Sequence, residues 1–307
     1  MMDVSVIIVN YNVKQLIVNC IDSIFKQTVG IDFEIIIVDN ASTDGSKELF
    51  EQRNEIVYIY NTVNQGFGKA NNIGIQRAKG RNIFLLNPDT LLVSNAIKIL
   101  SDFLDANQDI GACGGNLYNE YMQPVHSYRM RLPSILWELN GLSYNLLDKL
   151  CWGKNYQFNH TGKPKEVAYI TGADLMIRRS VLDHTGVFSS HFFMYYEETE
   201  LSFRIKKCGY HIFSVPDAKI LHLEEQSFSK PEINERKIQF RIEGRITYYL
   251  LCCQKTERRI AYSIFCLTTL LKIVYLFICN NWEEMKLKIM TLRIFNRSLH
   301  KLEQSGL

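Results

Sequence analysis

Two short apolar runs, each closed by a carboxylate, constrain this chain more than any other feature. Glu34-Ile-Ile-Ile-Val38 runs into Asp39-Asn-Ala-Ser-Thr-Asp44-Gly-Ser46, and Asn82-Ile-Phe-Leu-Leu86 runs into Asn87-Pro-Asp89-Thr90. Short apolar runs bounded by turn residues read as strands buried on both faces of a parallel sheet. In open α/β sheets, ligands bind in the crevice outside the carboxyl ends of such strands. Acids gathered there repel one another unless something positive lies between them. A nucleotide with a divalent cation meets that need.

The rest of the first half keeps the same rhythm. Strands are predicted at Val4–Val9, Glu34–Val38, Ile56–Tyr60 and Ile83–Leu86. Between them lie helical patterns through Leu16, Cys20, Ile21, Ile24 and Phe25, over Gly45–Gln52, from Asn64 to near Gly80, and over Asn95–Leu104. Thr43 or Asp44 is placed to cap the second helix. This alternation implies an α/β fold with a doubly wound, mostly parallel sheet. Beyond it the pattern loosens. Cys113–Tyr118, Val167–Ile170 and Leu175–Ile177 read as strands, and residues 119–165 read as irregular and aromatic-rich. Glu197–Cys208 reads as an amphipathic helix, and His211–Val215 as a short strand ended by Pro216. From Pro231 onward the composition is helical.

At 307 residues the chain has room for one large domain, or a domain with an extension. Its net charge of +3 hides a split. Residues 1–225 hold 21 Lys/Arg against 25 Asp/Glu, and residues 226–307 hold 14 against 7. A basic, apolar tail after a mildly acidic body suits an anionic membrane surface, or else a solvated helical face. Residues 260–279 are apolar but for Lys272 and several Ser/Thr. A lysine in mid-segment disfavours a spanning helix. Flanking Arg258, Arg259, Trp282, Lys286 and Lys288 favour a helix lying in the interface, and packing on the main domain is the remaining alternative. The eight cysteines show neither a Cys-x-x-Cys pair nor metal-like spacing with histidine. They suit a reducing cytoplasm, as does an N-terminus without a basic leader.

The Gly66-x-Gly68 segment lacks the spacing of a dinucleotide fingerprint or a P-loop. Neither Gly-x-Ser-x-Gly nor His-Glu-x-x-His is present. Six ordered segments instead carry a resemblance: Val4-Ser-Val-Ile-Ile-Val-Asn-Tyr-Asn12, Ile37–Ser46, Asn64-x-Gly-Phe-Gly68 with Asn72 and Gly74, Leu86-Asn-Pro-Asp89, Thr171-Gly-Ala173, and Met194-Tyr-Tyr-Glu-Glu198-Thr-Glu200. From Val4 to about Phe228 the chain resembles family 2 glycosyltransferases, nearest the rhamnosyltransferase-like branch of bacterial surface polysaccharide synthesis. The resemblance implies a GT-A nucleotide-diphospho-sugar transferase fold over residues 1–228, followed by a basic helical extension over 229–307. It also implies a nucleoside-diphosphate sugar donor, a divalent metal (Mg²⁺ or Mn²⁺), and inversion at the anomeric carbon. The expected acceptor is a lipid-linked saccharide at the cytoplasmic face of the membrane. No nucleic-acid partner is expected.

Carried over residue by residue, the resemblance places Val9, Tyr11 and Asn12 beside the nucleoside, with Asp39 accepting from the base imide. Asn72, Asn87 and Asp174 fall toward the donor. Asp89 matches the last acid of the family's Asp-x-Asp metal motif, whose first acid is here Asn87. His222 matches a histidine that completes the metal site, although Glu224 and Glu225 depart from the small residues usual after it. Glu198 aligns with the family's catalytic base, with glutamate in place of aspartate. Each assignment has a structural alternative: a turn or capping carboxylate for Asp39, a post-strand turn for Asn87–Asp89, a structural histidine for His222. Acids complementing a helix dipole would account for Glu197, Glu198 and Glu200. Phe188, Phe192, Phe193, Tyr195 and Tyr196 stack on a sugar or, the commoner outcome, pack in a core. Arg241, Arg245, Arg258 and Arg259 are candidates for an acceptor pyrophosphate or for lipid headgroups. The competing functional readings are a sugar-1-phosphate nucleotidyltransferase, which should carry an N-terminal Gly-rich phosphate loop, and a non-catalytic scaffold of the same fold.

Overall fold

The computed structural model describes residues 2–223 and 235–304. The predicted boundary near residue 228 and the pair Glu224–Glu225 lie outside the described residues. The strands in chain order are β1 (Val4–Asn10), β2 (Phe33–Asp39), β3 (Val57–Tyr60), β4 (Asn82–Leu86), β5 (Thr90–Leu92), β6 (Ile110–Tyr118), β7 (Tyr128–Arg129), β8 (Lys165–Glu166), β9 (Tyr169–Ile170), β10 (Asp174–Arg178) and β11 (His211–His222). The helices are α1 (Lys14–Gln27), α2 (Ser46–Phe50), α3 (Phe67–Arg77), α4 (Ala96–Ala106), α5 (Ile135–Leu142), α6 (Leu146–Trp152), α7 (Arg179–Thr185), α8 (Glu197–Lys207), α9 (Glu235–Cys252), α10 (Lys255–Ile278) and α11 (Trp282–Gln304).

One sheet runs in the order β3-β2-β1-β4-β10-β6-β11-β5, with β8 paired to β11. Strands β1 to β4 are mutually parallel where they pair, as are β6 and β11, while β10 is antiparallel to both β4 and β6. The nearly continuous apolar runs of β1, β2 and β4 are explained by burial on both faces. Ile8, Ile35, Ile37 and Phe84 join Ile17, Cys20, Ile21 and Ile24 of α1 in one layer. Ile7, Ile36, Val38, Ile83 and Leu85 meet α3, α7 and α8 in the other. Register levels the strand ends that matter, pairing Asn10 with Asp39 and Asp39 with Tyr60.

The sequence pattern failed in two places for identifiable reasons. Pro216 does not end β11. The strand slips register between Ser214 and Lys219, and this bulge carries the proline past a missing ladder donor. Gly115 opposite makes room, since a Cβ there would run into the Ala218 carbonyl. Residues 119–165 are not irregular throughout: they contain β7, α5 and α6. Ser134 caps α5 by accepting from the Trp137 N–H at 3.3 Å.

The tail helices α9, α10 and α11 share a third core with Phe192, built around Tyr248, Tyr249, Tyr262, Phe265 and Phe295. Arg245 is not at an acceptor site. It is buried between the rings of Trp137 and Phe265, and its guanidinium donates to both carboxylate oxygens of buried Glu138 at 2.6 and 2.7 Å.

Candidate functional site

At the level strand ends, Asp39 is fully buried and accepts from Asn10 Nδ2 at 2.7 Å, the Tyr58 hydroxyl at 2.9 Å and the Ser42 N–H at 2.7 Å. The last bond, from the N–H three residues on, closes the stretch after β2 into a turn over the carboxylate. Asn12, in the left-handed region at φ 58°, ties the β1 loop to the same turn by accepting from the Thr43 N–H at 2.7 Å. Asp44 reaches back to accept the Lys14 N–H at 2.8 Å, satisfying an orphan donor at the start of α1. Tyr11 is exposed beside this frame, and Val9 is buried behind it.

Asn40 was missed by sequence reasoning. Its buried amide donates to Asn64 Oδ1 and the Gly66 carbonyl, and accepts from Asn61 Nδ2 and the Gln65 N–H. It therefore fixes the loop that opens α3. Gly66 there has φ 85°, and a Cβ would strike the Phe193 carbonyl, which accepts the Phe67 N–H at 2.9 Å. An Asn directly after a strand acid was the one available signal. Asn72, assigned toward the donor, spends both ends of its amide on the backbone of Phe188, at 2.8 and 3.0 Å.

After β4, Asn87 donates its N–H to the Ala173 carbonyl at 2.9 Å, joining the Asn-Pro-Asp turn to the Thr171-Gly-Ala turn. Asp89 follows, nearly buried, and its backbone carbonyl accepts the Leu223 N–H at 2.9 Å. The β5–β11 pairing sets Thr90 opposite His222 and brings His222 Nε2 to 3.4 Å from Asp89 Oδ1. A carboxylate and an imidazole this close are donors that a divalent cation would accept together. The described residues hold no cluster of three or more His, Cys, Asp or Glu side chains, so the remaining ligands would come from a diphosphate and water. Asp174, at the start of β10, is fully buried and accepts the Gly115 N–H at 2.6 Å. Burial pushes its carboxyl well above the usual range.

Glu197 and Glu198 open α8 behind two consecutive left-handed residues, Tyr195 at φ 71° and Tyr196 at φ 72°. Such backbone is costly for aromatic side chains and collects at functional sites. Burial raises the carboxyls of both glutamates, and the charge of Glu198 adds to the rise at Glu197, which reaches about 8. Glu198 stands over Gly172, where a Cβ would lie 3.9 Å from its Cγ. Glu200 is occupied elsewhere, accepting from Arg204 at 2.7 and 2.8 Å. Of the aromatic run, Phe188 and Phe192 are core residues.

Comparison with known proteins identifies the family and the fold. A glycosyltransferase of Bacillus subtilis, EpsJ, is 36% identical over 115 residues, covering 36% of this chain and 33% of that protein. The N-acetylglucosaminyl-diphospho-decaprenol L-rhamnosyltransferase of Mycobacterium tuberculosis is 26% identical over 208 residues, covering 63% of this chain and 67% of that one. Among solved structures, the mannosyltransferase PcManGT of Pyrobaculum calidifontis, in complex with GDP-Man and Mn²⁺, superposes with a TM-score of 0.59 at 16% identity, covering 96% of this chain and 86% of that one. Its likeness shows the GT-A fold. Residues 5–186, more than half of the chain, match the family described as glycosyl transferase family 2, and the chain belongs to that family.

Proposed function

We propose that this chain is an inverting glycosyltransferase of cell-surface polysaccharide synthesis. It moves a sugar, rhamnose being the leading candidate, from a dTDP- or UDP-linked donor to a hydroxyl of a lipid-linked saccharide at the cytoplasmic membrane face. The approach of Asp89 and His222 at the carboxyl edge of the sheet carries this reading. The rhamnosyltransferase relative, whose name specifies a diphospho-decaprenol, supports the lipid-linked acceptor. The excess of Lys/Arg over Asp/Glu in residues 226–307, 14 against 7, supports contact with anionic lipid. Residues 1–228 are assigned to transfer and residues 229–307 to that contact.

Asp89 and His222 would hold a Mg²⁺ or Mn²⁺ ion, which when bound neutralises charge developing on the departing nucleoside diphosphate. Tyr11 and Asn12 line the nucleoside side, with Val9 and Asp39 behind them, Asp39 holding the turn after β2 through the Ser42 N–H. Asn87, Asp174 and Asn72 shape the donor side, Asp174 and Asn72 from behind through the Gly115 and Phe188 backbone. Glu198 accepts the proton of the acceptor hydroxyl as that oxygen bonds to the anomeric carbon, and the bond from that carbon to the diphosphate breaks on the opposite side. Burial raises its carboxyl, which makes it a stronger base than an exposed glutamate.

Thermal melting with UDP-, dTDP- and GDP-sugars, with and without Mn²⁺, tests the donor site. Stabilisation by a pyrimidine nucleotide should require the metal and vanish in Asp89→Ala. Glu198→Gln should keep that stabilisation and lose transfer by about 10²–10⁴-fold. Undiminished turnover in Glu198→Gln would remove it from the mechanism.

A further inference from the structure

Helix α6 is built inside out, and α10 carries an apolar face outward in addition to the one it buries in the third core. Water-soluble helices turn their apolar stripe to the core and their polar face outward. In α6 the buried residue is Asp148, 2% exposed, held by Arg131 Nε at 2.9 Å, with its own N–H donating to Asn140 Oδ1 at 3.0 Å. The residues facing solvent are Leu146, Leu147 and Leu150, at 52%, 39% and 74% exposed. In α10, Ala261, Tyr262, Phe265, Thr268, Thr269 and Leu276 are buried, yet Ile260, Leu267, Leu271, Val274 and Ile278 are 49–71% exposed. At 3.6 residues per turn those five share one outward face.

The α10 face reaches the connection between α5 and α6. Leu142 and Tyr144, just ahead of α6, line a cavity of about 500 Å³ with Leu271, Lys272 and Tyr275 of α10, and the Lys272 ammonium lies 4.9 Å from the Tyr144 ring centre. Two exposed cations punctuate the patch in sequence, Lys149 between the leucines of α6 and Arg259 before α10's apolar stretch, while Lys286 after it pairs with exposed Glu283 at 3.2 Å. Exposed Tyr144, Tyr275 and Trp282 are residues that favour the headgroup level.

We infer that the outward faces of α6 and α10 form a docking surface for an anionic phospholipid bilayer, engaging it through two separate helices. The inference rests on the membrane-borne acceptor proposed above and adds α6, from the catalytic half of the chain, as a second point of attachment. One interfacial helix would leave the body free to roll about its axis. Two hold the sheet edge that carries Asp89 at a set attitude to the lipid surface.

Flotation of the full chain with phosphatidylcholine vesicles, with and without about 30% phosphatidylglycerol, tests this. The wild type should partition to the anionic vesicles, and less so when salt is raised from about 0.1 M to about 1 M. Leu146→Ser with Leu150→Ser should lower partitioning roughly tenfold or more, given the apolar area removed. Leu271→Ser with Val274→Ser should do the same. Both pairs should melt like the wild type, and Leu150→Ser alone, at the most exposed site of α6, gives a smaller loss in the same direction. Wild-type flotation of the α6 pair, no flotation of the wild type, or a dimer by light scattering that the α6 pair dissociates would each overturn the inference. Flotation uses neither donor nor acceptor, so a failed transfer assay leaves this result standing.

Discussion

Glu197 lies beside the proposed base yet is itself buried, and its stability effect can be measured apart from turnover. Its carboxyl rises from an ordinary 4.5 to about 8, through burial first and the Glu198 charge second. Across that interval the unfolded chain gives up a proton that the folded chain keeps. The stabilisation is complete below about pH 4.5 and is lost as pH climbs through 8. Glu197→Gln should flatten the fall in melting temperature over this window, and an unchanged slope would show that another group is responsible. Asp39 and Asp89 were legible in the sequence because each follows an apolar run that could only be a buried strand. Asn40 was not, and neither was the backbone partner of Asn72, since the fold brings those partners to them. The amide of Asn72 closes on Phe188, which is 116 positions away.

Among the elements, α9 bears on the turn that carries the acid pair. Gly244 sits against Tyr195, where a Cβ would collide with the Tyr195 carbonyl. Phe240 stacks on Phe193 with centroids 4.6 Å apart, and the Arg241 guanidinium lies 5.1 Å from the Tyr195 ring centre. The left-handed Tyr195–Tyr196 backbone is thus held in place from the tail. Gly244→Ala should cost about 1–3 kcal/mol in denaturant unfolding. It should also lower kcat while leaving metal-dependent nucleotide stabilisation in place. Gly141→Ala, a site with open space around it, is the control. A Gly244→Ala enzyme with wild-type kcat would show that α9 does not position the acids. Element boundaries were readable wherever one periodicity ruled a long stretch, as in β1, α1 and α4. They failed at Pro216, where the allowance came from Gly115 on a neighbouring strand. They failed again over 119–165, where short helices carry apolar residues on their outer faces.

Across the whole molecule, the catalytic half and the tail meet at the buried Glu138–Arg245 pair, to which the Tyr249 hydroxyl adds a bond of 2.8 Å. Removing one partner strands the other charge in the interior, so Glu138→Ala should cost about 3–5 kcal/mol in denaturant unfolding. Glu138→Ala with Arg245→Met should recover part of that loss, and equal destabilisation by the single and double changes would refute the assignment. The alternation of strand and helix had announced the parallel half of the sheet, but the antiparallel insertion of β10 between β4 and β6 depends on pairings across long separations. The tail's composition suggested an appendage, because a linear chain does not show that Tyr195, Trp137 and Phe193 would take their neighbours from it. This has a practical side for anyone wishing to shorten the protein into a better-behaved enzyme. A cut ahead of Glu235 would leave a carboxylate without its guanidinium and bare a seam of aromatic rings, inviting clumping in the test tube. The safer trim keeps α9 and softens the leucines of α6 and α10 instead.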